Sequence, residues 1–305
     1  MNWKTLLWWL GPWCDQQKAP KRIISEEFTV STKSSHFRFR VYTGSDQNGA
    51  VMVLPGLHPD GLDDERIDRF CKVLAGSGAV VGVPELPTMM ESVMVPQVLT
   101  DTEESAQFFR SYLQEMNQDT FGVFCISASS IAGLHLASHD KWSSVISRLH
   151  LFGGFSDWME ALRFAMTGRV PNVVPAEHIE VDPLSLPVVY MNLMRSFTDF
   201  VDFVPQLQTE MFGQLHDYVS QSWEKPDVVH PTHTKKIATE LFEAWRQSSA
   251  VQEVDWASVE KCFYQACAIE PGGQEHVHVF LDEVSQRTLP QHLEWLNVES
   301  YMSKL

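Results

Sequence analysis

The chain is short of basic side chains, of cysteines and of long apolar runs, and each shortage removes a class of function. Its 23 lysines and arginines face 39 aspartates and glutamates, a formal net charge of −16. A surface of that sign repels phosphate backbones, which argues against nucleic acid as a partner. The five cysteines, Cys14, Cys71, Cys125, Cys262 and Cys267, are scattered and form no Cys-x-x-Cys pair. That argues against a disulfide framework and a thiolate zinc site, and fits a reducing compartment such as the cytoplasm. No apolar run reaches the roughly 20 residues of a membrane span. Internal repeats and low-complexity stretches are absent too.

What is present is a large globular chain. The 305 residues, 44% apolar and 20% charged, suffice for one large α/β domain with an insertion, or for two small domains. The first residues stand out: Trp3, Trp8, Trp9 and Trp13 crowd a short segment. Its apolar run, Leu6 to Leu10, is too short for a signal-peptide core. The segment reads either as a short helix docked on the domain, ended by Gly11-Pro12, or as a peripheral membrane contact through the four tryptophans.

Hydrophobic patterning divides the chain at 1–22, 23–156 and 157–305. Within 23–43, Phe28 to Thr32 and Phe37 to Tyr42 alternate as a half-buried hairpin. Continuous apolar runs at Ala50–Pro55, Ala79–Pro84 and Phe121–Ile126 read as buried strands, and Val145–Phe152 as a further one. Helical spacing lies between them. One helix runs from Asp64 to Ala75 with Ile67, Phe70, Val73 and Leu74 on one face, and glycines end it. The second spans Thr100–Leu113, with Thr100 or Asp101 as its cap and Glu103 and Glu104 in its first turn. The third spans Ser129–Ser138. Alternating strands and helices predict a mainly parallel sheet. After Gly154 the periodicity is mostly helical: Phe197 to Val204, Met211 to Val219, Thr234 to Gln247, Trp256 to Ala268 and Glu275 to Val284. Leu186–Met191 reads as strand or helix start, and 170–187 and 225–231 as proline-rich connectors.

The informative stretch is Cys125-Ile-Ser-Ala-Ser129, between a buried strand and a helix. A nucleophile elbow needs a serine on a tight strand-to-helix turn, with small residues two positions to either side. Cys125 and Ser129 are small but replace the usual glycines, so the Gly-x-Ser-x-Gly pattern is lost. The alternative is an ordinary turn with serine as helix N-cap. The loop Pro55-Gly-Leu-His-Pro-Asp-Gly61, after the first parallel strand, is placed to complete an oxyanion hole. Gly56 permits a tight turn, and the backbone N–H groups of Leu57 and Ala128 are the candidate donors. His58 is either a ligand contact or a loop histidine bonded to nearby backbone.

These features together resemble bacterial α/β-hydrolase-like proteins of unknown specificity. The resemblance lies in the 55–61 loop, the Arg66-Ile-Asp-Arg-Phe70 helix, the Pro84-Glu-Leu-Pro87 turn, Ile126-Ser127, and Phe152-Gly-Gly-Phe-Ser-Asp-Trp158. It covers roughly residues 20–200. It implies an α/β-hydrolase-like fold with a large helical cap, Ser127 as nucleophile, and Leu57 and Ala128 as oxyanion donors. It implies no particular substrate.

A serine nucleophile also needs a base and an orienting acid, which in this fold follow it on later strands. No apolar strand ending in an aspartate or in Gly-His is found after Gly154. The late histidines are His178, His216, His230, His233, His276, His278 and His292. His276 and His278 could face a metal together, but a third ligand is not evident, so neither metal nor cofactor is expected. One expectation is a chain that stops before the strands carrying acid and histidine. The other is a full triad, with the helical insertion supplying the histidine. Two functions follow: a serine hydrolase of an ester, thioester or amide, taking a small-molecule acyl substrate, or a non-catalytic hydrolase-like binding or scaffold protein.

Overall fold

In a computed structural model, the described residues are 20, 22–32, 36–168, 170 and 294–305, with isolated positions at 188, 189, 192, 213, 216, 217 and 219. The chain divides into two compact units, Met1–Ser156 with Val298–Leu305, and Asp157–Asn297.

The first unit is built on a six-stranded sheet of order β1-β2-β4-β3-β5-β6. Strands β1 (Ile24–Ser31) and β2 (His36–Thr43) form the expected hairpin, with Phe28 opposite Phe39. Strand β2 then pairs antiparallel with β4 (Val80–Pro84). Strands β3 (Ala50–Leu54), β4, β5 (Phe121–Ile126) and β6 (Ile146–Phe152) run parallel. This arrangement is α/β-hydrolase-like.

Alternation along the strands assigns the two faces of the sheet. On one face Tyr42, Val53, Val81 and Val83 pack with Leu62, Cys71 and Leu74 of the turn and helix that follow β3. That helix, α1 (Glu65–Gly76), is capped by Asp64, whose carboxylate accepts the Arg66 N–H at 2.7 Å. Gly78 follows it with φ +99°. On the opposite face an aromatic cluster forms: Phe39, Phe108, Phe109 and Phe121, with centroid separations of 4.9–5.7 Å. Gly82 of β4 makes room for it, since a Cβ there would lie 2.7 Å from the Phe109 ring and 2.8 Å from Phe39. Phe108 and Phe109 belong to α3 (Gln97–Glu115). Cys125 of β5 lies on the same face, against Gly133 of α4 (Ser130–Ser138). The short C-terminal helix α6 (Val298–Met302) sets the Tyr301 ring edge-on to His135 of α4, at 5.7 Å.

Two local features differ from the sequence reading. A short helix, α2 (Pro87–Met90), occupies the segment after β4. Helix α3 begins at Gln97, so Thr100 and Asp101 lie inside it and do not cap it, and Glu103 and Glu104 fall in its second turn. Pro96 sits just before the helix, where an amide hydrogen would have no intrahelical acceptor. Several polar side chains near its start bond within the helix. The Gln97 amide donates to Asp101, and the Thr102 and Ser105 hydroxyls donate to the carbonyls of Val98 and Asp101.

In the second unit, α5 (Trp158–Thr167) starts at Asp157, whose side chain accepts the Glu160 N–H at 3.0 Å. It stops at Gly168 with φ +68°. Val188, Val189, Asn192, Gly213, His216, Asp217 and Val219 are helical. The remaining expectations after residue 170 lie outside the described residues, including the helices at 234–247, 256–268 and 275–284. So do Trp3, Trp8, Trp9 and Trp13. Among the described residues, no helix is long and apolar enough to cross a membrane.

Candidate active site

The chain visits β3, then β4 on one side of it, then β5 on the other. The helix after β3 covers one face and the helix after β5 the opposite one. At such a switch the two loops part above the strand ends, and parallel sheets bind ligands there. The loops concerned are residues 55–61 and the elbow at Ser127.

The elbow is a strained turn. Ile126 is still extended, with φ −115° and ψ 121°. Ser127 turns to φ +55°, one of three non-glycine residues with positive φ among the described residues. Residues Ser127–Ser129 then form a 3-10 turn that leads into α4. A left-handed serine costs about 1–3 kcal/mol and persists only where its surroundings over-determine it. Ser127 is exposed, and among the described residues its hydroxyl has no hydrogen-bond partner. An N-cap serine would instead have extended backbone and a hydroxyl accepting from the first helical turn.

The surroundings explain both departures from the usual glycines. Ser129 is fully buried, and its hydroxyl accepts the Ile126 N–H at 3.0 Å. The same oxygen lies 2.8 Å from the Leu54 carbonyl and 3.0 Å from that of Ile126, either of which can take its proton. It therefore ties the elbow to the end of β3. Cys125 is accommodated by Gly133 one turn into α4, where a Cβ would stand 2.1 Å from the Cys125 sulfur. The thiol is buried and held at about 12, above its ordinary value, chiefly by desolvation. Gly154, after β6, comes so close that a Cβ would lie 2.3 Å from the Ser130 Oγ. Ser129, Gly133 and Gly154 shape this turn, and a five-residue motif does not mark Gly133 or Gly154.

The 55–61 loop lies directly on the elbow. A Cβ on Gly56 would meet the Ile126 carbonyl oxygen at 2.9 Å and the Ser127 Cβ at 3.3 Å. This close approach puts the Leu57 backbone beside Ser127. Among the described residues, the Leu57 amide has no backbone acceptor. Ala128 is the second residue of the 3-10 turn, where amide hydrogens have no intrahelical acceptor.

His58 serves the loop. Its amide donates to the Met89 carbonyl at 3.2 Å. Its Nδ1 accepts the Asp60 N–H at 3.2 Å, and its Nε2 lies 3.3 Å from the Asp64 carboxylate. Those partners fit the neutral ring with hydrogen on Nε2. Burial pushes the His58 pKa down, against the pull of Asp64. Both ring nitrogens are thus engaged, as a histidine bonded within its loop would be. Burial pushes the Asp64 carboxyl up, but hydrogen bonds from Arg66 outweigh it and hold the group below its ordinary value.

The far end of the loop is fixed by charge. Arg38 contacts Glu85 and Asp63 at 2.7 Å each, and Arg40 contacts Asp63 at 2.6 Å and Glu27 at 2.7 Å. Arg40 also donates to the Leu62 carbonyl at 2.9 Å. Burial raises the Asp63 pKa, but hydrogen bonds from the two guanidinium groups bring it below the usual carboxylate range.

Among the described residues, no histidine ring is hydrogen-bonded to the Ser127 hydroxyl. His178, His230, His233, His276, His278 and His292 lie outside the described residues. His216 is described, with its Nδ1 3.8 Å from Asp217.

No protein-family model matches the chain, and no curated protein matches it. Several solved structures align with it at low identity. A hyperthermophilic esterase from the archaeon Pyrobaculum calidifontis is 19% identical over 55% of this chain and 54% of that one, with a TM-score of 0.40. The chain thus spans about half the length of that esterase. A putative dienelactone hydrolase from Klebsiella pneumoniae is 12% identical over 74% of this chain and 100% of that one, with a TM-score of 0.34. A hypothetical protein from Pseudomonas aeruginosa is 12% identical over 94% of this chain and 96% of that one, with a TM-score of 0.42. Superpositions this loose carry no argument about function, which rests on the site.

Proposed function

We propose that the chain is a serine hydrolase acting on an ester, thioester or amide of a small acyl compound, with Ser127 as the nucleophile. The observation that supports this best is the left-handed backbone of Ser127 at a strand end, φ +55°, beneath a glycine that lets the neighbouring loop touch it. In the proposed reaction the Ser127 Oγ attacks the carbonyl carbon and gives its proton to a base. The carbonyl oxygen takes the displaced electron pair as an oxyanion. The amide hydrogens of Leu57 and Ala128 stabilise that charge, because they are fixed in place before it forms. The leaving alcohol, thiol or amine takes the proton back, and water then releases the acyl group from Ser127.

Turnover of a series of p-nitrophenyl esters by wild type and Ser127→Ala tests this. Measurable hydrolysis that Ser127→Ala removes is the expected result. Equal turnover by both proteins, or none by well-folded wild type, rejects it; the second outcome would leave the non-catalytic, scaffold reading in place.

A further inference from the structure

The opposite end of α4 carries a second cluster of chemistry-bearing groups. His135 lies in the last turn of the helix, and His139 follows it by four residues as the C-cap. At that spacing two side chains share one side of a helix. Their rings stand 4.6 Å apart. Glu103 of α3 reaches across to both: its Oε1 is 2.8 Å from His135 Nε2 and 4.0 Å from His139 Nε2. One ligating atom from each of the three lies within 4.8 Å of the other two.

We propose that Glu103, His135 and His139 form a binding site for a divalent transition-metal ion of the zinc class. Zinc bonds to imidazole nitrogen and carboxylate oxygen are about 2.0–2.2 Å long, so tetrahedral ligands stand about 3.3 Å apart. The two Glu103 separations, 2.8 and 4.0 Å, bracket that value. Small side-chain rotations suffice to reach it. Two histidines and one carboxylate are the mixed hard and borderline donors that such ions prefer over calcium or magnesium. Three protein ligands leave a fourth position for water.

The surroundings suit a ligand site. All three residues sit on, or directly follow, helices of the same compact unit, which holds donors more firmly than a loop. Tyr301 walls one side of His135. His139 is half exposed, so an ion can enter from solvent. The hydrogen that Nε2 shares with Glu103 moves to Nδ1 when Nε2 turns to the metal. The Lys304 ammonium faces His135, and the Glu103 carboxylate offsets its charge.

The test uses the full chain, stripped with chelator and titrated calorimetrically with zinc chloride. His139→Ala is the main variant, because that ring is half exposed and its loss leaves the core intact. Glu103→Gln is the second. Other histidines in the chain can also bind zinc, so the difference between proteins is the readout. The expected result is a zinc equivalent in wild type that weakens at least 10-fold in both variants, with metal-free melting temperatures unchanged. Zinc should also raise the wild-type melting temperature more than that of His139→Ala. Cobalt should give visible d–d bands in wild type that His139→Ala loses. Zinc isotherms of wild type and His139→Ala that superimpose would overturn the proposal. So would a wild type that binds no zinc. The site is independent of Ser127, so esterase failure and metal failure are read separately.

Discussion

Helix α4 begins at the Ser127 elbow and ends at the Glu103–His135–His139 cluster, and the two ends are held in opposite ways. The helix is nine residues long, about 13 Å. At the first end the key side chain has no hydrogen-bond partner among the described residues, and its backbone is strained. Its position comes from absences: glycines at 56, 133 and 154 let three segments crowd together. At the second end the backbone is ordinary, and the side chains hold one another through a 2.8 Å contact between helices. A nucleophile needs the first kind of construction, with reactivity left over. A ligand cluster needs the second, with donors gathered in advance. The buried body of α4, from Ser130 to Leu134 with Leu136, joins the two rigidly.

The contrast breaks most visibly at Gly56. A side chain there meets the Ile126 carbonyl, which is backbone and cannot swing aside. Gly56→Val is expected to lower ester turnover by about 10²-fold, the scale of a misplaced reacting group. Zinc affinity at the far end should not change, and steady-state kinetics beside calorimetry checks both.

Ser129→Ala comes next. It removes a buried hydroxyl that satisfies the Ile126 amide, and is expected to cost about 1–3 kcal/mol of stability. Urea denaturation measures it. Gly133→Val forces the α4 backbone away from the Cys125 sulfur and should cost about 1–3 kcal/mol from overpacking. Adding Cys125→Ala to Gly133→Val should recover part of that loss, because it removes the clashing atom. A double-mutant cycle that shows no coupling would mean the two positions do not meet.

The smallest effect concerns acid. Asp63 and Asp64 both titrate below their ordinary range in the folded chain. Groups of this kind stabilise the fold above the unfolded pKa, about 3.9, and that contribution is lost as pH falls through their folded values. Stability should therefore decline below about pH 4, and Asp64→Asn should flatten part of the decline in denaturation midpoints.

How much of this was legible in the sequence follows from what each feature depends on. The sheet was readable because Ala50–Leu54, Val80–Pro84 and Phe121–Ile126 are apolar throughout, as buried central strands must be. The tight strand-to-helix turn at Ser127 was readable as a turn because it is one continuous segment between an apolar strand and a helix. The start of α3 differs from the sequence reading because Thr100 and Asp101 have the chemistry of caps, and only the fold shows that the helix already runs from Gln97. The roles of Ser129 and Gly133 depend on which atoms oppose them across the turn. The metal-type cluster was invisible for a related reason. His135 and His139 are close in sequence, but Glu103 is 32 residues away from His135, and only the packing of two helices brings it near.

Ser127 is the residue on which the account depends, and a covalent probe reads it most directly. After treatment with a fluorophosphonate, peptide mass spectrometry of the folded full chain should find the adduct on the peptide containing Ser127. Ser127→Ala should remain unmodified, while His139→Ala is modified like wild type. An adduct on some other serine, or no adduct on protein that melts cooperatively, would contradict the reading of the elbow as a nucleophile.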